Sequence, residues 1–129
     1  MSENFILEII SPDKTLVKKE FREVTIPSFE GQMGILKNHI SLVTFLRPGF
    51  INAINDKEIE KYFVEDGTVE FSNNTLLILS STVNNIKNFS REKIEILIKE
   101  TEENINKENI NDKEKYKESH KLDSLREII

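Results

Sequence analysis

Over roughly the first ninety positions, apolar residues come in short runs broken by turn-formers; beyond them, apolar residues recur at helical spacing. Phe5 to Ile10 reads as a strand buried on one face or both. Thr15 to Lys18 and Phe21 to Ile26 follow, the second alternating as Phe21, Val24 and Ile26 around Arg22 and Glu23, with Pro27 expected to stop it. Gly49 to Ile54 leads through Asn55-Asp56-Lys57 into Glu58 to Val64 as a hairpin. Glu65-Asp66-Gly67 predicts a turn or bulge with Gly67 at positive φ. Val69 to Phe71 and Thr75 to Leu79 pair across Asn73-Asn74, because consecutive asparagines tolerate the left-handed turn. Many short, closely spaced strands in one domain predict a sandwich or barrel.

The tail opens at Phe89-Ser90, where Ser90 can cap a helix and Glu92 favours its positive end. Ile94, Leu97, Ile98, Thr101 and Ile105 fall on one face. Asn109-Ile110-Asn111-Asp112 breaks the pattern, with Asp112 the expected cap of a second helix carrying a thinner stripe of Tyr116, Ser119, Leu122, Leu125 and Ile129. Two helices of about fifteen residues are marginal alone and need something to pack on, so a helical hairpin is expected. Composition marks the same border. All four glycines, three prolines and eight phenylalanines lie in residues 1–89, whereas half of residues 90–129 are charged, nine Lys/Arg and eleven Asp/Glu. The expected organisation is an α+β chain with a β body over 1–86 and a helical hairpin over 87–129.

Charge and composition narrow the function. A net charge of −5 argues against a nucleic-acid binder, which needs a basic face, and against a basic membrane-surface helix. The chain has no cysteine, so disulfides and thiolate metal sites are excluded. Met1-Ser2-Glu3-Asn4 lacks a basic patch followed by an apolar core, so no signal peptide is read, and the longest apolar run, Leu76 to Leu79, falls far short of the roughly 20 residues of a membrane helix. A soluble protein is expected, with any membrane association through a partner.

Gly31-Gln32-Met33-Gly34-Ile35-Leu36-Lys37-Asn38-His39-Ile40-Ser41-Leu42-Val43-Thr44-Phe45-Leu46-Arg47-Pro48-Gly49 is the most informative stretch. It lacks the Gly-Lys-Ser/Thr ending of a phosphate cradle and a dinucleotide fingerprint, so its glycines read as tight turns between strands. His39 is 81 residues from the other histidine, His120, and reads as structural rather than as a metal ligand or general base. Glu102 and Glu103 read as a solvated helix face with i,i+4 partners, as Glu95 has in Lys99. No Ser/His/acid arrangement has positional logic, so no catalytic residue, cofactor or metal is expected. Met33, Ile35, Leu36 and Ile40 form either an apolar interface patch or core, with equal weight.

The order of these residues resembles the signature of the epsilon subunit of F-type ATP synthase (delta in mitochondria): Gly-x-x-Gly-Ile/Val-Leu-x-x-His-x-x-Leu, then x-x-Leu-x-Pro-Gly. It is matched by Gly31, Gly34, Ile35, Leu36, His39, Leu42, Leu46, Pro48 and Gly49. A second block, Tyr62 to Leu79, is similar to the family's later pattern of aromatic, strand, glycine, strand, Asn turn and apolar strand. In motif detail the resemblance spans about residues 4–83, and in architecture the whole chain.

The resemblance implies a ten-stranded β sandwich followed by a C-terminal two-helix antiparallel hairpin. It also implies a non-catalytic central-stalk subunit that binds the gamma subunit and the c-ring and couples proton flow and rotation to ATP synthesis. By position, Glu30, Gly31, Gln32 and Met33 would face the c-ring, and His39 and Leu42 would lie on the gamma side. The helices would dock on the sandwich or extend toward the alpha and beta subunits and inhibit hydrolysis, and a thin apolar stripe predicts weak docking. The Ile/Leu-Asp-x-x-Arg-Ala motif with which some relatives bind ATP is not matched by Ile86-Lys87-Asn88-Phe89-Ser90-Arg91-Glu92: the Asp is missing, the Arg is one position late and Glu replaces Ala. The implied location is the cytoplasmic side of a bacterial inner membrane, peripheral and held through the complex. The competing reading is a free-standing β adaptor that recruits another partner with its helical hairpin; a small hydrolase using His39 is a distant third.

Overall fold

The computed structural model describes residues 3–128. Met1 and Ser2, where the leader reading begins, and Ile129, the last position of the expected second-helix stripe, lie outside the described residues. Ten strands run in chain order as β1 Phe5–Ile10, β2 Thr15–Phe21, β3 Glu23–Ser28, β4 Gly31–Leu36, β5 Leu42–Leu46, β6 Gly49–Ile54, β7 Ile59–Val64, β8 Gly67–Ser72, β9 Thr75–Leu79 and β10 Asn84–Asn85. A 3-10 turn, Ile86–Asn88, leads to α1 Arg91–Ile105 and α2 Asp112–Ile128.

The strands form two halves joined at β3. One half runs β4-β3-β6-β7-β10 and the other β5-β8-β9-β1-β2. β3 makes the junction by pairing with β6 over Glu23 to Thr25 and with β5 at Ser28. Pro27 therefore does not stop the strand. Its carbonyl accepts from the Arg47 N–H, so its nitrogen also faces away from β4 and no bond of the β3–β4 ladder is lost. All the pairings are antiparallel except β1 with β9, which is parallel.

The core lies between the halves. Phe5, Leu7, Ile9, Phe21, Val24, Ile26, Ile35, Leu46, Ile51, Ala53, Tyr62, Val64, Val69, Phe71, Leu76 and Ile78 are buried together, the inward face of a period-2 pattern. Two turns are dictated locally. Asn73 and Asn74 both take left-handed φ, at 50° and 55°, closing the β8–β9 hairpin. Gly67 has φ +153°, and a Cβ there would sit 2.8 Å from the Leu79 carbonyl oxygen, so only glycine fits.

The tail packs on the outer face of β6 and β7. Phe50 and Phe63 point away from the core and bury Leu125 of α2 with them, flanked by Ile86, Phe89, Leu97, Ile98 and Ile128. The continuous apolar run Tyr62-Phe63-Val64 thus serves two layers, its outer residue reserved for the helices. Ser90 caps α1 by accepting from the Lys93 N–H. The cap of α2 is Asn111, not Asp112: the Asn111 side chain accepts from the Glu114 N–H at 2.8 Å and donates to the Glu114 carboxylate at 3.1 Å, a reciprocal box that leaves Asp112 as the first helical residue. Of the expected stripes, Ile94, Thr101, Leu122 and Leu125 are buried. The Thr101 hydroxyl donates to the Leu97 carbonyl at 2.6 Å, which lets a polar residue sit buried in α1.

Candidate partner-binding site

Among the described residues no group of three or more His, Asp or Glu is placed to hold a metal ion. What the surface offers is apolar area. On the second half-sheet Leu42 and Leu46 turn inward, so their alternates Val43 and Phe45 turn out, exposed by 74% and 58%. The register extends each across the sheet. Phe45 pairs with Thr68, Thr68 with Leu79 and Leu79 with Ile10, a row of apolar and small side chains over four strands. Val43 pairs with Glu70, Glu70 with Leu77 and Leu77 with Glu8, whose carboxylate meets Lys18 at 3.6 Å. Ile40, just before β5, is 78% exposed. Nothing in the chain's own packing requires large apolar groups there, and exposed sets of this kind mark interaction surfaces.

The Phe45 row continues into a groove of about 1140 Å³ between the sheet and the start of α2, lined among others by Ile10, Phe29, Phe45, Leu79, Lys113 and Lys117. Phe29 belongs to the two-residue β3–β4 turn, Phe29-Glu30, closed by the Ser28–Gly31 pair. Gly31 takes φ +120°, and the Ser28 hydroxyl donates to its carbonyl at 2.6 Å. Tyr116 of α2 stacks on Phe29 at 5.9 Å between centroids and its hydroxyl donates to the Phe29 carbonyl. Lys117 lies over the same ring.

The residues singled out from the sequence fall into different settings. Glu30 and Gln32 are exposed at the β3–β4 hairpin, and Met33 is half-buried against the core. Gly34 has ordinary φ and open space where a Cβ would be, so this chain's own fold does not require glycine there. Leu42 packs against the core and pairs with Phe71, while the His39 ring meets Phe71 edge-on at 5.8 Å with its Nδ1 2.7 Å from the Ile40 carbonyl. The turn holding His39 is pinned by Asn38 and Asn74, which exchange two hydrogen bonds. The apolar quartet splits: Ile35 is core, Met33 packs on it, and Leu36 and Ile40 are surface. Val43, Phe45, Leu79 and Phe29 were not singled out by sequence. The alternation within Leu42 to Leu46 held the signal, but both of its faces are largely apolar.

His120 sits where α2 crosses β6. Its ring meets Tyr116 at 4.5 Å, and burial and the Arg47 guanidinium push its pKa down while Asp123 opposes them. Lys61, Asp123 and Glu127 share the same small cavity. The adjacent Lys121 pairs with Glu65 of the β7–β8 turn at 2.7 Å, tying α2 to the sandwich.

The family model of the ATP synthase delta/epsilon chain β-sandwich domain matches residues 4–86. The chain is 45% identical over 129 residues to the ATP synthase epsilon chain of Pelagibacter ubique (strain HTCC1062), covering 99% of each. It is 33% identical over 123 residues to that of Dichelobacter nodosus (strain VCS1703A), covering 89% of this chain and 86% of the other. A chain in the cryo-EM structure of the Euglena gracilis mitochondrial ATP synthase (OSCP/F1/c-ring, rotational state 1) superposes with a TM-score of 0.75 at 17% identity, over 98% of this chain and 79% of its own length. One in the central stalk/c-ring structure of the Tetrahymena thermophila mitochondrial ATP synthase gives 0.62 at 17% identity, over 95% and 92%. These two likenesses are of fold.

Proposed function

The chain belongs to the ATP synthase delta/epsilon family, as a subunit without catalysis of its own, and from that premise we propose that its exposed sheet face and its β3–β4 hairpin seat it in the central stalk. The observation that carries this reading is the uncovered apolar set Ile40, Val43, Phe45 and Leu79. That face meets the gamma subunit. His39 and Leu42 support it from beneath, one by fixing the turn before β5 and the other by anchoring β5 to the core.

The hairpin around Glu30, Gly31, Gln32 and Met33 faces the c-ring, where the open space at Gly34 allows another backbone close approach. In this arrangement the chain transmits rotation driven by proton flow to the catalytic head. It rests at the membrane surface through the complex, on the cytoplasmic side of a bacterial inner membrane; no helix among the described residues is long and apolar enough to cross a membrane. The sandwich, residues 1–86, is the stalk-binding unit, and residues 87–129 are a separate hairpin that can leave it for the alpha and beta subunits.

Co-elution of the full-length chain with gamma from the same organism tests the reading. The parent chain is expected to co-elute, and Ile40→Asp with Val43→Asp is expected to abolish it while leaving the thermal transition in place, because both side chains are solvent-facing in the free chain. Retention of gamma by the double variant would overturn the assignment of this face.

A further inference from the structure

The groove beside the exposed sheet face is built by both parts of the chain. Its floor is the row Ile10, Leu79, Thr68 and Phe45, and its far wall is the β3–β4 turn residue Phe29 together with Lys113 and Lys117 of α2. Neither lysine forms an ion pair among the described residues, and they lie four residues apart, hence on one side of the helix and one turn from each other. Asp66, the one carboxylate among the described residues lining the groove, accepts from the Thr82 hydroxyl at 3.3 Å. The opening thus has an apolar floor and a cationic wall, although the chain as a whole carries −5.

An apolar floor beside two lysines one turn apart complements a helix that is apolar on one side and carries carboxylates one turn apart along its edge. We infer that this groove is a composite seat for one amphipathic helix of the stalk partner, with apolar side chains on the Phe45 row and carboxylates one turn apart on Lys113 and Lys117. This deepens the reading above and rests on it: the same partner that covers Val43 and Phe45 also touches the tail. Two consequences follow from linkage. The partner binds the docked-tail form more tightly than a form with the tail released, and its binding holds the tail down. Phe29, clamped between the groove and Tyr116, extends the same constraint to the hairpin proposed to face the c-ring.

Binding of full-length variants to gamma, measured by calorimetry at low and high salt, tests this. Lys113→Glu with Lys117→Glu is expected to weaken binding about tenfold or more at low ionic strength and much less at high salt, as screening removes the charge term. Phe45→Asp is expected to weaken binding at both. Hydrogen exchange of residues 112–118 is expected to slow when gamma binds. If the lysine reversal leaves affinity and exchange unchanged while Phe45→Asp abolishes binding, the sheet face stands and the composite seat falls. If Phe45→Asp binds like the parent chain, or the parent does not bind gamma at all, both readings fall.

Discussion

Leu125 is the tail residue whose removal should separate docking from folding. It is fully buried on the outer face of the sheet against Phe50 and Phe63, not in the core between the two half-sheets. Leu125→Ala deletes three carbons at about 0.8 kcal/mol each, roughly 2.5 kcal/mol, near the low end for buried leucines because the junction can partly collapse. At about 1.4 kcal/mol per tenfold, that is roughly a 60-fold shift toward the released tail. Alanine is the better helix former, so the change cannot act by weakening α2 itself. Hydrogen exchange followed by mass spectrometry reads the result by segment. Amides of α2 are expected to exchange about 60-fold faster, while those of β1, β8 and β9 keep their protection. Equal acceleration in the sandwich strands would refute the reasoning, because it would make the tail part of one cooperative unit with the core. Unchanged exchange in α2 would show that the anchor lies elsewhere in the cluster.

The same observable should depend on pH through His120. Its pKa is lowered in the docked state, so the released tail binds more protons; docking is therefore fully supported above the ordinary value of about 6.5 and weakens as pH falls from there through the lowered value. Protection of α2, corrected for intrinsic exchange, should decline as pH falls below about 6.5. His120→Gln should flatten that decline, and an undiminished decline in the variant would refute a role for His120. Glycine substitutions separate fold from function. Gly67→Ala should cost at least about 2 kcal/mol in thermal or denaturant unfolding, from its positive φ and the Leu79 carbonyl. Gly34→Ala should leave stability within about 0.5 kcal/mol and weaken assembly with the c-ring; a large loss of stability would mean that the fold, rather than a partner, requires glycine there.

Local backbone chemistry and clean alternation were legible without a structure. Asn73-Asn74 and Gly67 specify their turns through conformations few residues tolerate, and Ser90 starts α1 through a hydrogen bond to its own first turn. Strands with one clearly apolar face, such as β3 with Val24 and Ile26, declared their inward side, although Phe21, expected to open that strand, ends β2 instead, and the loss of Gly, Pro and Phe marked where the helices begin. The ordered matches from Gly31 to Gly49 carried the family. Strands β4, β5 and β10 did not emerge from the pattern. β4 holds two glycines, β10 is two asparagines, and β5 is apolar on both faces, so period-2 alternation there has no sign.

The tertiary structure alone decided which faces are covered. Phe63 and Phe50 are buried only because α2 arrives from 60 residues or more downstream, and Phe45 and Val43 are exposed because nothing among the described residues packs over them. The cap at Asn111 in place of Asp112, and the passage of β3 through Pro27, depend on where a side chain or a missing N–H points. A sequence fixes local conformation through each residue's own backbone and near neighbours, whereas burial is a property of what packs against a face from elsewhere in the chain. The groove between the Phe45 row and Lys113 and Lys117 exists only at that second level.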